Sequence, residues 1–330
     1  MLSVTYFYRE PRKTGVSIEG IFSLVRSCLQ GRIEIKEFYC DPKLSRLQNI
    51  RQAGKSSNKI NHITGDVNFL ALGLKGKTIL TIHDFGFYEN PVHSKMVKLM
   101  YHLFWLYFPL KKIDIVTVVS QFTRQKLIQY FRFPEERIRI IPDPVKPVFR
   151  KAARVKTNSK PVVLMLGTGK HKNLDNLIEA AKGADFHLDI VGWPAQDELE
   201  RLKQYEISHT IYNGLSDEQV FERYVACDVL FMASLYEGFG MPIIEAQAVG
   251  RPVITSNIGA MKEVGEGSAI LVDPHDVISI RDVINSILEN KQLYDDTVAL
   301  GFVNAAKYDY KKIAEQYLEL YNELEAKKGR

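Results

Sequence analysis

Glu237-Gly238-Phe239-Gly240-Met241-Pro242-Ile243-Ile244-Glu245 is the stretch on which the fold turns. It follows a short apolar run, 228–232, that reads as a buried strand, and it ends inside a helix predicted over 241–249. Proline in the first turn of a helix sacrifices no hydrogen bond and helps fix the start. The glycines ahead of it let the backbone come close to a ligand, with the N–H groups of the helix start directed at its oxygens. Glu245 falls one turn inside the helix, where a second carboxylate can accept two hydrogen bonds from a vicinal diol such as a ribose. The helix dipole by itself also favours acidic residues near an N-terminus. That accounts for Glu245 alone but poorly for the glycines, the proline and the spacing together.

Outward from this stretch, short β-branched runs alternate with helical ones. Strands are predicted at 162–166, 187–191, 208–212, 228–232, 252–255 and 268–272, with helices at 173–182, 196–204, 217–226, 241–249 and 276–290. In the first half the strands are 2–8, 33–39, 78–82, 115–119 and 138–141, with helical stretches that include 17–30 and 121–131. Such alternation implies an α/β chain with parallel sheets flanked by helices, here two doubly wound halves. Ile141-Pro142-Asp143-Pro144-Val145-Lys146-Pro147 holds three prolines in seven residues and precedes a polar stretch, 151–160, so it reads as a linker. The expected division is 1–147, 148–308, and a terminal helix within 309–330. Tyr310, Ile313, Tyr317, Leu320, Tyr321 and Leu324 recur at 3- and 4-residue spacing, one apolar face that should pack back toward the first domain.

The composition of the 330 residues, 45% hydrophobic and 25% charged, is that of a globular chain long enough for two cores. The apolar run 1–8 lacks a basic flank, which favours a first strand over a signal peptide. No stretch reaches the roughly 18 apolar residues of a spanning helix. Cys28, Cys40 and Cys227 are scattered without metal-ligand spacing, which suggests a reducing, cytoplasmic setting. Residues 1–150 carry 24 Lys/Arg against 12 Asp/Glu, whereas residues 151–330 carry 20 against 27. A basic first half suits an anionic partner, whether a phosphate-bearing ligand, an anionic lipid surface or nucleic acid, or it reflects solvated surface lysines.

Glu237, seven intervening residues and Glu245 resemble the E-x7-E signature of the family 4 (group 1) retaining glycosyltransferases. The lead-in from Ala226-Cys227-Asp228 to Ser234-Leu235-Tyr236 is similar to that family's, as are the follow-on Ala246 to Ile254 and the segment Gly265 to Pro274. The resemblance implies the GT-B fold, two Rossmann-like domains facing a central cleft, with the second binding a nucleotide sugar. It implies that Glu237 acts catalytically and, with Gly238 and the backbone of Phe239, Gly240 and Met241, contacts the donor sugar, while Glu245 holds the ribose. A basic residue after the first strand of that domain would grip the diphosphate. The loop here is Gly167-Thr168-Gly169-Lys170-His171-Lys172, so Lys172 would carry this role, assisted by Lys170. Thr168 stands where the family often has arginine. Gly192, Tyr212 and Gly214 follow two further strands at the edge that lines the ligand crevice of open α/β sheets, the latter two near the base.

In the first half, Gly15 is what remains of a glycine pair that the family places near the donor phosphate. His83-Asp84 resembles the family's His-Asp, whose histidine faces the reacting sugar, so His83 is the second expected catalytic residue. Ser120 resembles a serine-bearing turn of the family but is explained as well by a helix cap. Residues 95–112 place lysines around large aromatics, either an interfacial helix at an anionic membrane or a core helix.

The expected activity is therefore transfer of a hexosyl residue from a UDP- or GDP-linked sugar to a glycan or lipid-linked glycan acceptor, retaining and metal-independent, in polysaccharide or lipopolysaccharide biosynthesis. No cofactor and no metal site is expected, and the nucleotide sugar is a substrate. A soluble sugar or sugar-phosphate acceptor is the competing reading, a nucleic-acid- or surface-binding protein a further one. Nucleic-acid signatures are missing, and neither half shows the G-x-G-x-x-G of a dinucleotide oxidoreductase.

Overall fold

The computed structural model describes residues 1–10, 18–89, 93–156 and 158–326. It divides the chain into two compact units, Met1–Pro144 with Tyr310–Arg330, and Val145–Asp309. In the first unit β1 (Ser3–Tyr8), β2 (Glu34–Tyr39), β3 (Ile60–Ile63), β4 (Lys77–Ile82), β5 (Ile115–Val118) and β6 (Ile138–Ile140) form one sheet in the order β2-β1-β3-β4-β5-β6. All its neighbours run parallel, with Val4 beside Ile60, Ile60 beside Lys77 and Ile79 beside Ile115. The helix Ile18–Leu29 buries Ile21, Phe22, Val25 and Leu29. It packs against the chain-terminal helix Tyr310–Ala326, which buries Ile313, Tyr317, Leu320, Tyr321 and Leu324.

The strand that the sequence pattern does not disclose is β3, at the centre of this sheet. Its four residues, Ile-Asn-His-Ile, are all buried, and two polar side chains in four positions hide the apolar run of a parallel strand. Each is satisfied internally. Asn61 donates through Nδ2 to the carbonyls of Lys75 (2.6 Å) and Asn58 (3.1 Å). The His62 ring lies 2.7 Å from the Tyr321 hydroxyl and 2.8 Å from Thr81 Oγ1. The helix Arg46–Lys55 also went unread, although Ser45 and Gln48 form a capping box at its start.

Residues 95–112 do not make one core helix. Lys95–Tyr101 is α-helical, His102–Tyr107 widens into a π-helix and Phe108–Leu110 resumes the α form. Leu106, Pro109 and Leu110 are buried, but Met96, Leu99, Met100, Phe104, Tyr107 and Phe108 face solvent.

The second unit holds β7 (Val162–Leu166), β8 (His187–Val191), β9 (His209–Tyr212), β10 (Val229–Met232), β11 (Val253–Ser256) and β12 (Ile270–Val272), in the order β12-β11-β10-β7-β8-β9. All pairs are parallel. Counted from β7, this is the doubly wound order 3-2-1-4-5-6, whose ligand crevice opens where the winding reverses, between β7 and β10. In the first unit the reversal falls between β1 and β3. Helices Leu174–Ala181 and Val277–Glu289 cover one face of the second sheet and meet its core through Leu177, Ile178, Ile280 and Ile284. Among the described residues, no helix is long and apolar enough to cross a membrane.

Candidate active site

The loops leaving β7 and β10 at their carboxyl ends bring Lys172 and Glu237 together. The lysine Nζ donates to Glu237 Oε1 across 2.6 Å, and the two side chains are 19% and 16% exposed. Gly167 makes room for this. It sits at φ +87°, and a Cβ there would lie 3.1 Å from Lys172 Cε, inside the path of the lysine stem. The Leu235 N–H donates to the His171 carbonyl at 2.7 Å, joining the two loops. Buried Asn173, in the left-handed region at φ 69°, donates to the carbonyls of Ala233 (2.9 Å) and Pro274 (2.7 Å). One side chain thus fixes the ends of β7, β10 and β12. The sequence reading passed over Asn173, whose only signal was its place directly after Lys172.

Glu237 is followed by buried Gly238 and Phe239, the latter edge-on to Tyr308 at 5.4 Å between centroids. Gly240 then turns the chain at φ 105°, ψ 49° into the helix Met241–Val249, with Pro242 in its first turn and, at the glycine N-cap, no side-chain cap from that residue. Ile243 N–H donates to the Gly240 carbonyl at 3.0 Å. Glu245 is buried. Its Oε2 accepts from the Tyr224 hydroxyl at 2.9 Å, while Oε1, also buried, has no partner among the described residues. Burial pushes the Glu245 carboxyl up to about 7; the Tyr224 hydroxyl, Lys146 and Lys172 work in the opposite direction and Asp217 works with burial.

Around this centre, Thr168 Oγ1 accepts from the Trp193 N–H at 2.9 Å. A Cβ on Gly192 would meet Thr168 Cγ2 at 2.8 Å, and its φ of +147° already favours glycine. Tyr212 takes a hydrogen bond from Arg223 Nη1 at 2.9 Å. Gly214, at φ +63°, has open space where a side chain would sit. Lys170 turns to carboxylates on the following helices, 3.3 Å from Asp175 and 3.7 Å from Asp197. Those acids hold its pKa above the usual lysine value.

In the first unit, His83 follows β4 at its carboxyl end, next to the residues that follow β3. His83 Nε2 donates to the Thr64 carbonyl at 3.0 Å, and Nδ1 lies 3.5 Å from Asp143 Oδ1. Burial disfavours the charged ring, but Asp143, the Thr64 carbonyl and Asp84 outweigh it, so the His83 pKa is raised. Asp143, inside the proline-rich segment, was read only as linker. Gly65, at φ +134°, lets the ring come close, since a Cβ there would stand 3.1 Å from His83 Cδ2. Ser120 caps the helix Gln121–Phe131, accepting from Thr123 N–H at 3.0 Å. Gly15 lies outside the described residues.

Residues 149–301 match the family model for glycosyl transferases group 1, and residues 60–149 match that for Glycosyltransferase Family 4. The O-antigen chain mannosyltransferase B of Escherichia coli is 24% identical over 300 residues, 83% of this chain and 77% of that protein. The serotype-specific mannosyltransferase WbdA of Escherichia coli is 27% identical over 238 residues, 65% of this chain but 29% of the longer protein. HepE of Anabaena, solved with UDP and glucose, superposes with a TM-score of 0.79 at 15% identity, covering 97% of this chain and 99% of that one; this likeness carries the fold. Two doubly wound parallel sheets define the GT-B fold, and the matching family models and relatives make the chain a glycosyltransferase. It carries a group 1 glycosyl transferase domain over 149–301 and a Glycosyltransferase Family 4 domain over 60–149.

Proposed function

We propose that this enzyme moves a hexosyl residue from a UDP- or GDP-linked sugar to a glycan or lipid-linked glycan acceptor, in cell-surface polysaccharide or lipopolysaccharide synthesis. The observation that carries it is the buried Oε1 of Glu245, without a partner among the described residues, on a helix whose glycine-started N-terminus follows directly on the Lys172–Glu237 pair. In this reading Lys172 and the helix N-terminus take the diphosphate, Glu237 and the backbone of 239–241 take sugar hydroxyls, and Glu245 takes the ribose diol. Gly192, Tyr212 and Gly214 border the base, and His83 is the second catalytic residue of the proposal. Positive charge fixed in place by Lys172 and the helix dipole supports transfer without a metal ion, because it stabilises the departing diphosphate as its charge develops. Retention of configuration is part of the proposal.

The names of relatives, mannosyltransferases of O-antigen chains, favour a mannosyl donor as the first to test. The solvent-facing Met96, Leu99, Met100, Phe104 and Phe108 among Lys95, Lys98, Lys111 and Lys112 support a peripheral contact with an anionic membrane. The protein is expected to float with phosphatidylglycerol-containing liposomes, and failure to float favours a soluble acceptor. Glu237→Ala should lower nucleotide-sugar turnover by at least about 100-fold while the far-UV spectrum and melting temperature stay near wild type. Undiminished turnover in that variant would falsify the site.

A further inference from the structure

Glu245 has two carboxylate oxygens and one donor between them. Tyr224, on the helix Asp217–Ala226, gives its hydroxyl hydrogen to Oε2 at 2.9 Å. Oε1 is left as a buried acceptor with no partner among the described residues. A buried unpaired carboxylate oxygen is destabilising, and unmet acceptors of this kind call for a ligand or a water.

The tyrosine is itself held on two sides. The Phe149 ring stands edge-on to its ring, 5.6 Å between centroids at 90°. Buried Arg251 binds its backbone, Nε donating to the Tyr224 carbonyl at 2.8 Å and Nη2 to that of Val225 at 3.2 Å. Tyr224 is completely buried.

We propose that Tyr224 is a positioning residue for the donor. By occupying Oε2 from the core side it sets the rotation of the Glu245 carboxylate and leaves Oε1 as the acceptor presented to the 2′- and 3′-hydroxyls of the nucleotide. This rests on the assignment of Glu245 to the ribose. The same hydroxyl stabilises the ionised carboxylate. The groups that face it are Tyr224 and Asp217 on one helix, Lys146 ahead of β7 and Lys172 after it. Loss of the hydroxyl removes a stabilising donor, so nucleotide affinity in the variant should decline at a higher pH than in wild type as the medium is acidified.

The test is Tyr224→Phe, which keeps the ring and its packing against Phe149. Binding of uridine and guanosine diphosphate is measured by titration calorimetry between pH 6 and 8.5, each beside its 2′,3′-dideoxy form, with Glu245→Ala alongside. Wild type should favour the ribose form of its preferred nucleotide by about tenfold or more, and Glu245→Ala should lose that preference. Tyr224→Phe should retain only a fraction of it, with affinity several-fold weaker and its acid limb displaced upward. For donor turnover, KM should rise by a larger factor than kcat falls. A variant that melts earlier but keeps wild-type ribose preference and pH profile overturns the positioning role. A wild type indifferent to the ribose hydroxyls overturns instead the assignment of Glu245, and the two failures are thereby distinct.

Discussion

Lys172 and Glu237 are each other's counter-ions at 2.6 Å, yet transfer asks them to serve different parts of one ligand. In the proposed assignment an intact nucleotide sugar separates the pair with compensation on both sides, its diphosphate replacing the carboxylate at Lys172 and its hydroxyls replacing the ammonium at Glu237. A nucleoside diphosphate alone takes the lysine and leaves Glu237 charged, unpaired and next to a second anion. On that assignment the pair is expected to discriminate donor from spent product. Glu237→Gln, which keeps the shape but removes the charge, should bind the free nucleoside diphosphate about 5–30-fold more tightly, the equivalent of ~1–2 kcal/mol. Calorimetric titration checks this, and unchanged or weaker binding means that the pair does not compete with the product. The motif residues were legible because their chemistry is local: two glutamates, glycines and a proline at fixed spacing around one helix start. Their partners were not. Tyr224 lies 21 residues from Glu245 and Asp143 lies 60 from His83 in sequence, and only the folded sheet brings each pair together.

The helix Tyr310–Ala326 is where the sequence pattern and the packing agree most closely, since Ile313, Tyr317, Leu320, Tyr321 and Leu324 are buried together. What periodicity could not show is that its Tyr321 reaches a polar network in the sheet. Tyr321 donates to the Tyr6 hydroxyl (2.9 Å) and meets His62 Nδ1 (2.7 Å), while His62 Nε2 and Thr117 Oγ1 share Thr81 Oγ1. If Tyr321 gives its proton to Tyr6, His62 carries its own on Nδ1 and accepts at Nε2, an assignment drawn from the network. Burial, with a smaller contribution from His83, lowers the His62 pKa to about 3 from 6.5. A histidine depressed in the fold leaves stability intact above pH 6.5 and erodes it as pH falls from there toward 3, because the unfolded chain then binds the extra proton. Tyr321→Phe strands His62 Nδ1 and should cost about 1–3 kcal/mol in urea unfolding at pH 7.5. A loss near zero would mean that the network contributes no net stability. The same polar pair, Asn61 and His62, kept β3 out of the sequence reading: a central strand normally announces itself by an unbroken apolar run. The π-helical turn at His102–Tyr107 was equally out of reach, since it changes backbone hydrogen bonding without a marker in residue type.

Taken as a whole, the chain builds its first unit from both ends of the sequence and its second from the middle, and each sheet reverses its winding at the edge that carries its site residues. The charge asymmetry follows this division of labour: the excess of Lys/Arg lies in residues 1–150 and the excess of Asp/Glu in residues 151–330. The more acidic half nevertheless holds the proposed diphosphate site, so local placement of Lys172 at the β7–β10 reversal, and not net charge, must supply the anion binding. The most direct test is calorimetric titration of UDP- and GDP-hexoses into the wild-type protein and Lys172→Ala. At least one nucleotide sugar should bind the wild type in the micromolar to sub-millimolar range and lose about tenfold or more in affinity in the variant. No binding by any of them, or equal binding to both proteins, would contradict a donor site at that reversal.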